Sequence, residues 1–274
     1  MSLSFRRKKP SLLLQADLCA SVLTLMGKFR TEHRAGTTEQ GIRVAFKVSY
    51  PKLPSKGTVI YFHGFPGGPL DDLTDVPLSL ASLGYSVVSF NYPGLWDAES
   101  VFSVDNVLNS SRYIISEVKT APRLLIPETP LILFGESFGG ALTVLLAAEN
   151  QGIIQKVCLR SPLLDFRPIL RFLPLTFRQL ENAGILRVSA SGFDFEQIKK
   201  INLRELISST TSTRFWGVIG NNDEVLPGVK MFDATRGVPH FSLELWDDFP
   251  HNSISVELWE RFLLGLKGFL DTDD

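Results

Sequence analysis

Pro130-Leu131-Ile132-Leu133-Phe134-Gly135-Glu136-Ser137-Phe138-Gly139 runs on into Gly140-Ala141-Leu142-Thr143-Val144-Leu145-Leu146-Ala147-Ala148. The stretch is an apolar run, a G-x-S-x-G pentapeptide and a second apolar run, which reads as a strand, a tight turn and a helix. A serine on so sharp a turn holds its hydroxyl above the sheet. The flanking glycines supply backbone freedom and room for close strand-to-helix packing. The arrangement implies covalent acyl chemistry at Ser137.

Upstream of this turn, Arg43 to Tyr50 alternates with a period of two and predicts a half-exposed, antiparallel strand. Thr58-Val59-Ile60-Tyr61-Phe62 is instead continuously apolar, as in a strand covered on both faces. Helical spacing around Val76 to Leu83 leads to a buried strand at Tyr85 to Phe90, closed by Asn91-Tyr92-Pro93-Gly94. A helix over Val101 to Lys119, the strand before Ser137, the helix after it and a strand at Lys156 to Arg160 continue the alternation. Strands alternating with helices imply a parallel sheet with both faces covered. From Ser161 to about Thr210 the alternation breaks, and Pro162, Pro168 and Pro174 punctuate a segment rich in Phe, Leu and Arg. This predicts a cap inserted over residues 162–211. Strands at Arg214 to Ile219 and Phe241 to Trp246 resume the sheet, and Ser255 to Leu270 predicts a closing helix with Trp259, Phe262, Leu263, Leu266 and Leu270 on one face.

Serine needs a base within hydrogen-bond reach and the base needs an orienting acid. His251 lies in the short loop after the Phe241 to Trp246 strand and is the expected base. Asp223 follows the Arg214 to Ile219 strand, at the end where an open parallel sheet carries its site, and is the expected acid, with Glu224 as the fallback. His240 stands at the opposite end of its strand, and His33 precedes every predicted sheet element. His63-Gly64-Phe65-Pro66-Gly67 matches an H-G-x-x-G loop, or a plain glycine-proline turn if the Ser137 turn is set aside. In the first reading, the N–H groups of Phe65 and Phe138 point at a developing oxyanion. The histidines show no metal-ligand spacing.

Together these four signals resemble the α/β-hydrolase superfamily, from His63 to His251. The resemblance implies a mostly parallel central sheet flanked by helices in a single domain over 1–274, a cap at 162–211, and Ser137, Asp223 and His251 as triad with Phe65 and Phe138 as oxyanion donors. It implies a serine hydrolase acting on carboxylic esters, with a peptidase or acyl-peptide hydrolase, an acyltransferase and a non-catalytic binding protein as alternatives, and no cofactor or metal. Gly-Glu-Ser-Phe-Gly-Gly is similar to the turn of some lipases, esterases and acyltransferases, and Asn91 to Gly94 to a loop of prolyl-oligopeptidase-type enzymes. The serine nucleophile and the missing Asp-Arg-Gly loop separate the chain from epoxide hydrolases and haloalkane dehalogenases.

With 274 residues and 44% hydrophobic content, the chain can bury a large core. A net charge of -1 gives no basis for nucleic-acid binding, so a small acyl substrate is the expected partner. Cys19 and Cys158 read as buried thiols of a cytoplasmic protein. Arg6 to Leu14 has some features of a secretory signal, but Asp17 interrupts it, and residues 1–30 are expected to form a helical extension. No stretch is long and apolar enough to span a bilayer.

Overall fold

A computed structural model of the protein describes residues 29–120 and 130–272. Cys19 and the expected helical extension, up to residue 28, lie outside them, and Arg30, its last residue, opens a strand instead. The strands are β1 (Arg30–Thr37), β2 (Arg43–Tyr50), β3 (Thr58–Phe62), β4 (Ser86–Phe90), β5 (Leu131–Glu136), β6 (Ile154–Arg160), β7 (Arg214–Gly220) and β8 (Phe241–Trp246). The helices are α1 (Asp75–Ser82), α2 (Val104–Thr120), α3 (Phe138–Glu149), α4 (Leu173–Asn182), α5 (Phe195–Lys199), α6 (Leu203–Ser209), α7 (Gly228–Thr235) and α8 (Val256–Asp271).

The sheet order is β1-β2-β4-β3-β5-β6-β7-β8, with β1 and β2 antiparallel at one edge and β4 through β8 mutually parallel. From β3 the chain moves outward to β4 and then returns to the other side of β3 as β5. The strand order reverses there, and an open sheet forms its crevice at such a point.

Continuous apolar strands are needed because the period-two alternation sends neighbours to opposite faces. Ile60, Phe62, Leu131 and Leu133 join the core on one face with Val107 and Ile114 of α2, Val144 of α3 and Met231 of α7. Val59, Tyr61, Ile132 and Phe134 join the other with Val76 and Leu80 of α1 and Phe262, Leu266 and Leu270 of α8. Trp259 and Leu263 pack at the margin of that face, so the expected stripe of α8 meets the sheet.

Two expectations are corrected. His33 lies within β1, where it pairs with Lys47 of β2, so it does not precede the sheet. β1 is a mostly exposed edge strand whose polar sequence carries no apolar alternation. Its order comes from pairing with β2, from the Glu32, Arg34 and Tyr50 side-chain hydrogen bonds and from Arg30 over the Tyr50 ring. The second correction concerns β2, which is buried continuously from Phe46 to Tyr50: Phe46, Val48 and Tyr50 join the core on one face, and on the other Lys47 Nζ donates to the Leu70 and Asp71 carbonyls of the segment before α1.

Between β6 and β7 the alternation does break, and this stretch carries α4, α5 and α6. It is stitched to the loop after β4 by backbone hydrogen bonds: Trp96 N–H to the Ile185 carbonyl, Arg187 N–H to Gly94, and Phe102 N–H to Arg187. No described helix is long and apolar enough to cross a membrane.

Candidate active site

Ser137 occupies the single-residue joint between β5 and α3, with φ 52° and ψ -116°. A side chain in that region is strained by about 1–3 kcal/mol, and the surroundings hold it there. The Ser137 N–H donates to the Arg160 carbonyl, and the Ser137 carbonyl accepts from Gly140 and Leu163. The glycines are steric requirements. A Cβ on Gly139 would collide with the Phe62 carbonyl, and one on Gly135 would lie 2.7 Å from the Gly139 carbonyl oxygen. The pentapeptide is the sequence that lets β5, α3 and β3 approach this closely.

His251 follows β8 and is buried. Its Nε2 is 3.0 Å from Ser137 Oγ and its Nδ1 is 2.8 Å from Asp223 Oδ2. The other Asp223 oxygen accepts from the N–H groups of Val225 at 2.9 Å and Leu226 at 2.7 Å. Burial pushes the Asp223 carboxyl up, but the His251 hydrogen bond and charge and the two backbone donors outweigh it, leaving the group below its ordinary value. An ionised carboxylate only accepts, so Nδ1 carries the proton and Nε2 faces Ser137 as an acceptor. Ser137, His251 and Asp223 are thus brought into one hydrogen-bonded line.

Glu224, the fallback acid, sits elsewhere. Its carboxylate accepts from the His251 N–H at 2.9 Å, the Asn252 N–H at 2.8 Å and Asn252 Nδ2 at 3.2 Å. The His251 carbonyl in turn accepts from Arg160 Nη2 at 2.8 Å. The His251 residue is therefore gripped at both its N–H and its C=O by charged side chains. Arg160 also pairs with Glu136, whose second oxygen accepts from the Tyr61 hydroxyl at 2.7 Å. Sequence reasoning missed Arg160 and Tyr61, although the β5–β6 register, which sets Glu136 beside Arg160, contains the signal.

The His63-Gly64 loop lies against the turn: a Cβ on Gly64 would sit 3.3 Å from Ser137 Cβ. His63 is buried, its ring stacks 4.1 Å from that of Tyr92, and the Tyr92 hydroxyl donates to the His63 carbonyl at 2.7 Å. His63 Nδ1 approaches the Gly64 carbonyl at 2.7 Å, and burial pushes the imidazole down to about 4. A neutral His63 shapes the loop without facing Ser137. Phe138 N–H opens α3, so no helical carbonyl precedes it. The Phe65 and Phe138 rings meet edge to face at 6.1 Å, so the two loops that carry the expected donors pack against each other through their side chains.

Phe102, Val107, Phe138, Leu142, Phe166 and Phe193 line an apolar slot at this end of α3 that encloses only about 20 Å³. Of the aromatic residues expected in the inserted segment, Phe166 and Phe193 line the slot, Phe177 stacks on Phe65 at 5.2 Å, and Phe172 is exposed. His240 precedes β8 at the far end and bonds the Ile207 carbonyl, and His33 approaches Asp71 on the surface. Cys158 is buried within β6, where burial raises its thiol and keeps it inert. Among the described residues, no cluster of three or more His, Cys, Asp or Glu side chains could hold a metal ion.

No family model matches the chain. Solved structures do. The esterase Pf2001 of Pyrococcus furiosus superposes with a TM-score of 0.66 at 17% identity, covering 90% of this chain and 93% of that one. The α/β hydrolase GrgF of Penicillium sp. sh18 gives 0.67 at 16%, covering 88% and 98%. Est1E of Butyrivibrio proteoclasticus gives 0.64 at 16%, covering 86% and 97%. At these identities the likeness is one of architecture: the chain has the α/β-hydrolase fold.

Proposed function

We propose that this α/β-hydrolase-fold protein is a serine hydrolase that cleaves carboxylic esters of short acyl chains, with residues 162–211 as its cap. The observation that carries the reading is the unbroken line Ser137 Oγ, His251 Nε2, His251 Nδ1, Asp223 Oδ2, with contacts of 3.0 and 2.8 Å.

In the first half-reaction, Ser137 Oγ attacks the ester carbonyl carbon while His251 Nε2 takes the hydroxyl proton. Asp223 holds the tautomer and stabilises the imidazolium. The carbonyl oxygen becomes an oxyanion facing the Phe65 and Phe138 N–H groups, at the positive end of α3. The carbon–oxygen bond to the leaving group then breaks, His251 gives its proton to the departing alcohol, and an acyl-Ser137 remains. Water repeats the sequence with His251 as base and releases the acid.

Two observations narrow the substrate. The apolar slot beside Phe138 has room for little more than a water-sized group, which favours short acyl chains over long ones. An aminopeptidase needs an acidic anchor for the substrate's amino terminus, and the nearby candidates are committed. Glu136 binds Tyr61 and Arg160, Asp97 accepts from Asn91, and Glu99 pairs with Arg43.

The test is hydrolysis of p-nitrophenyl esters from acetate to palmitate. The expected result is an optimum at acetate or butyrate, with kcat falling by roughly 10⁵-fold or more in Ser137→Ala. Full activity in that variant would exclude Ser137 as nucleophile, and an optimum at palmitate would exclude the slot as the acyl site.

A further inference from the structure

Beside the apolar slot lies a second, larger cavity of about 1120 Å³. The two share Phe166, Ile198 and Ile201 as a common wall. The larger one is linked to the candidate nucleophile through the backbone: Leu163 N–H bonds the Ser137 carbonyl at 2.9 Å, and Leu164, the next residue, lines the cavity. Its remaining walls come from the inserted segment and from α7, which follows the Asp223 loop.

The cavity has a charge that the protein as a whole lacks. Arg167, Lys199, Lys200, Arg204 and Lys230 line it against two carboxylates, Asp165 and Asp233, in a chain of net charge -1. Three of the cations have partners: Arg167 with Asp165, Lys199 with Glu196, and Arg204 with the Asp233 carbonyl. Lys200, just past α5, and Lys230, in the first turn of α7, make no ion pair among the described residues. Two ammonium groups without a close ion pair thus border one cavity from different elements, Lys230 near enough to Asp165 to help hold its carboxyl down, with three partnered cations around them. Cations gathered in a concave surface raise the local concentration of an anion. Because they are spread over several elements, they suit a group with several anionic oxygens better than a single carboxylate, which one Arg fork would satisfy.

We propose that this cleft receives the leaving-group half of the substrate and that this half carries phosphate. The ester or thioester carbonyl is at Ser137, its short acyl group is in the slot, and the phosphorylated alcohol or thiol lies across Lys200 and Lys230. The proposal rests on the hydrolase reading for its placement of the carbonyl. A nucleotide thioester and a glycerol phosphate ester share this chemistry.

The experiment compares matched pairs of equal acyl length with the full chain at low salt: butyryl-coenzyme A against butyryl-pantetheine, and 1-butyrylglycerol 3-phosphate against monobutyrin. In at least one pair, kcat/KM is expected to be roughly tenfold or more higher for the phosphorylated member, with the advantage shrinking as salt screens it. In Lys200→Glu/Lys230→Glu the ratio is expected to fall to near one, with an unchanged melting midpoint showing that the fold is retained. A gain in one pair identifies that class of leaving group, and a gain in both shows that the phosphate alone is read. No gain in either pair, or a gain that survives the double substitution, overturns the proposal. Calorimetric binding of butyryl-coenzyme A and 1-butyrylglycerol 3-phosphate to Ser137→Ala, with and without the two Glu substitutions, separates the two claims. Lysine-dependent binding without turnover in the unsubstituted protein would sink the hydrolase reading and leave the cleft standing. Turnover of p-nitrophenyl butyrate without lysine-dependent binding of either ligand would do the reverse.

Discussion

At the scale of single residues, His251 is held by more than its side-chain partners. Glu224 grips its N–H and Arg160 its carbonyl, and Arg160 is paired with Glu136, the residue before Ser137. The Nε2-to-Oγ distance is therefore set by a charged linkage running from the nucleophile's own strand. Glu224→Gln keeps one acceptor but loses the charge that strengthens its hydrogen bonds. It is expected to lower kcat by roughly tenfold, with KM nearly unchanged, because small displacements of a base weigh on rate. An unchanged kcat would show that the grip is only structural. Asp223→Asn is expected to cost about 10⁴ in kcat through the wrong tautomer, measured on p-nitrophenyl butyrate, and His240→Ala should leave the rate as it is. The residues of the Ser137 line were legible because Gly-x-Ser-x-Gly and the strand-end positions of Asp223 and His251 follow from local pattern. Arg160 was not, because its role comes from the register between β5 and β6, which no single segment encodes.

At the scale of elements, legibility followed burial. Strands β3, β4, β5 and β7 are mostly apolar and almost wholly buried because both faces are covered, and their positions could be read to within a residue or two. β1 could not, since an edge strand with an exposed face carries Arg, Glu, His and Thr and draws its order from β2. α7 was hidden for a related reason: it begins with Gly228 behind Pro227 and buries mainly Met231, Thr235 and Gly228 itself, too little for a visible stripe. The β5–α3 joint makes a sharp demand of its own. Gly139→Ala places a methyl group against the Phe62 carbonyl, so α3 must back away from β3. The expected cost is about 1–3 kcal/mol, read by urea unfolding, with activity lost together with the geometry of the turn. Wild-type stability in this variant would mean that α3 and β3 leave room for a methyl group at the Phe62 carbonyl.

For the molecule as a whole, the buried groups around the site couple folding to pH. Burial lowers the folded-state value of His63 to about 4 from the ordinary 6.5, so the unfolded chain binds its proton first as pH falls. The stability it contributes is fully present above about pH 6.5 and is lost as pH falls from there toward 4, up to about 3 kcal/mol. Asp223 and Glu224, both held below their ordinary values, lose their contributions at still lower pH, as they protonate. Urea unfolding at pH 7 and pH 4.5 is expected to show this loss, and His63→Gln should flatten it. An equal slope in that variant would assign the effect to other groups. The overall architecture was legible from the alternation of strands and helices. The cleft was not, because Arg167, Lys200 and Lys230 converge only through the packing of three elements. The central claim is that Ser137 is a nucleophile activated by His251. Its most direct test is labelling of the intact protein with a short-chain fluorophosphonate, with the modified residue located by peptide mass spectrometry. The account predicts one phosphonyl adduct, on Ser137, forming at least a hundredfold more slowly in His251→Ala. An adduct on another residue, or labelling at an equal rate in that variant, would contradict it.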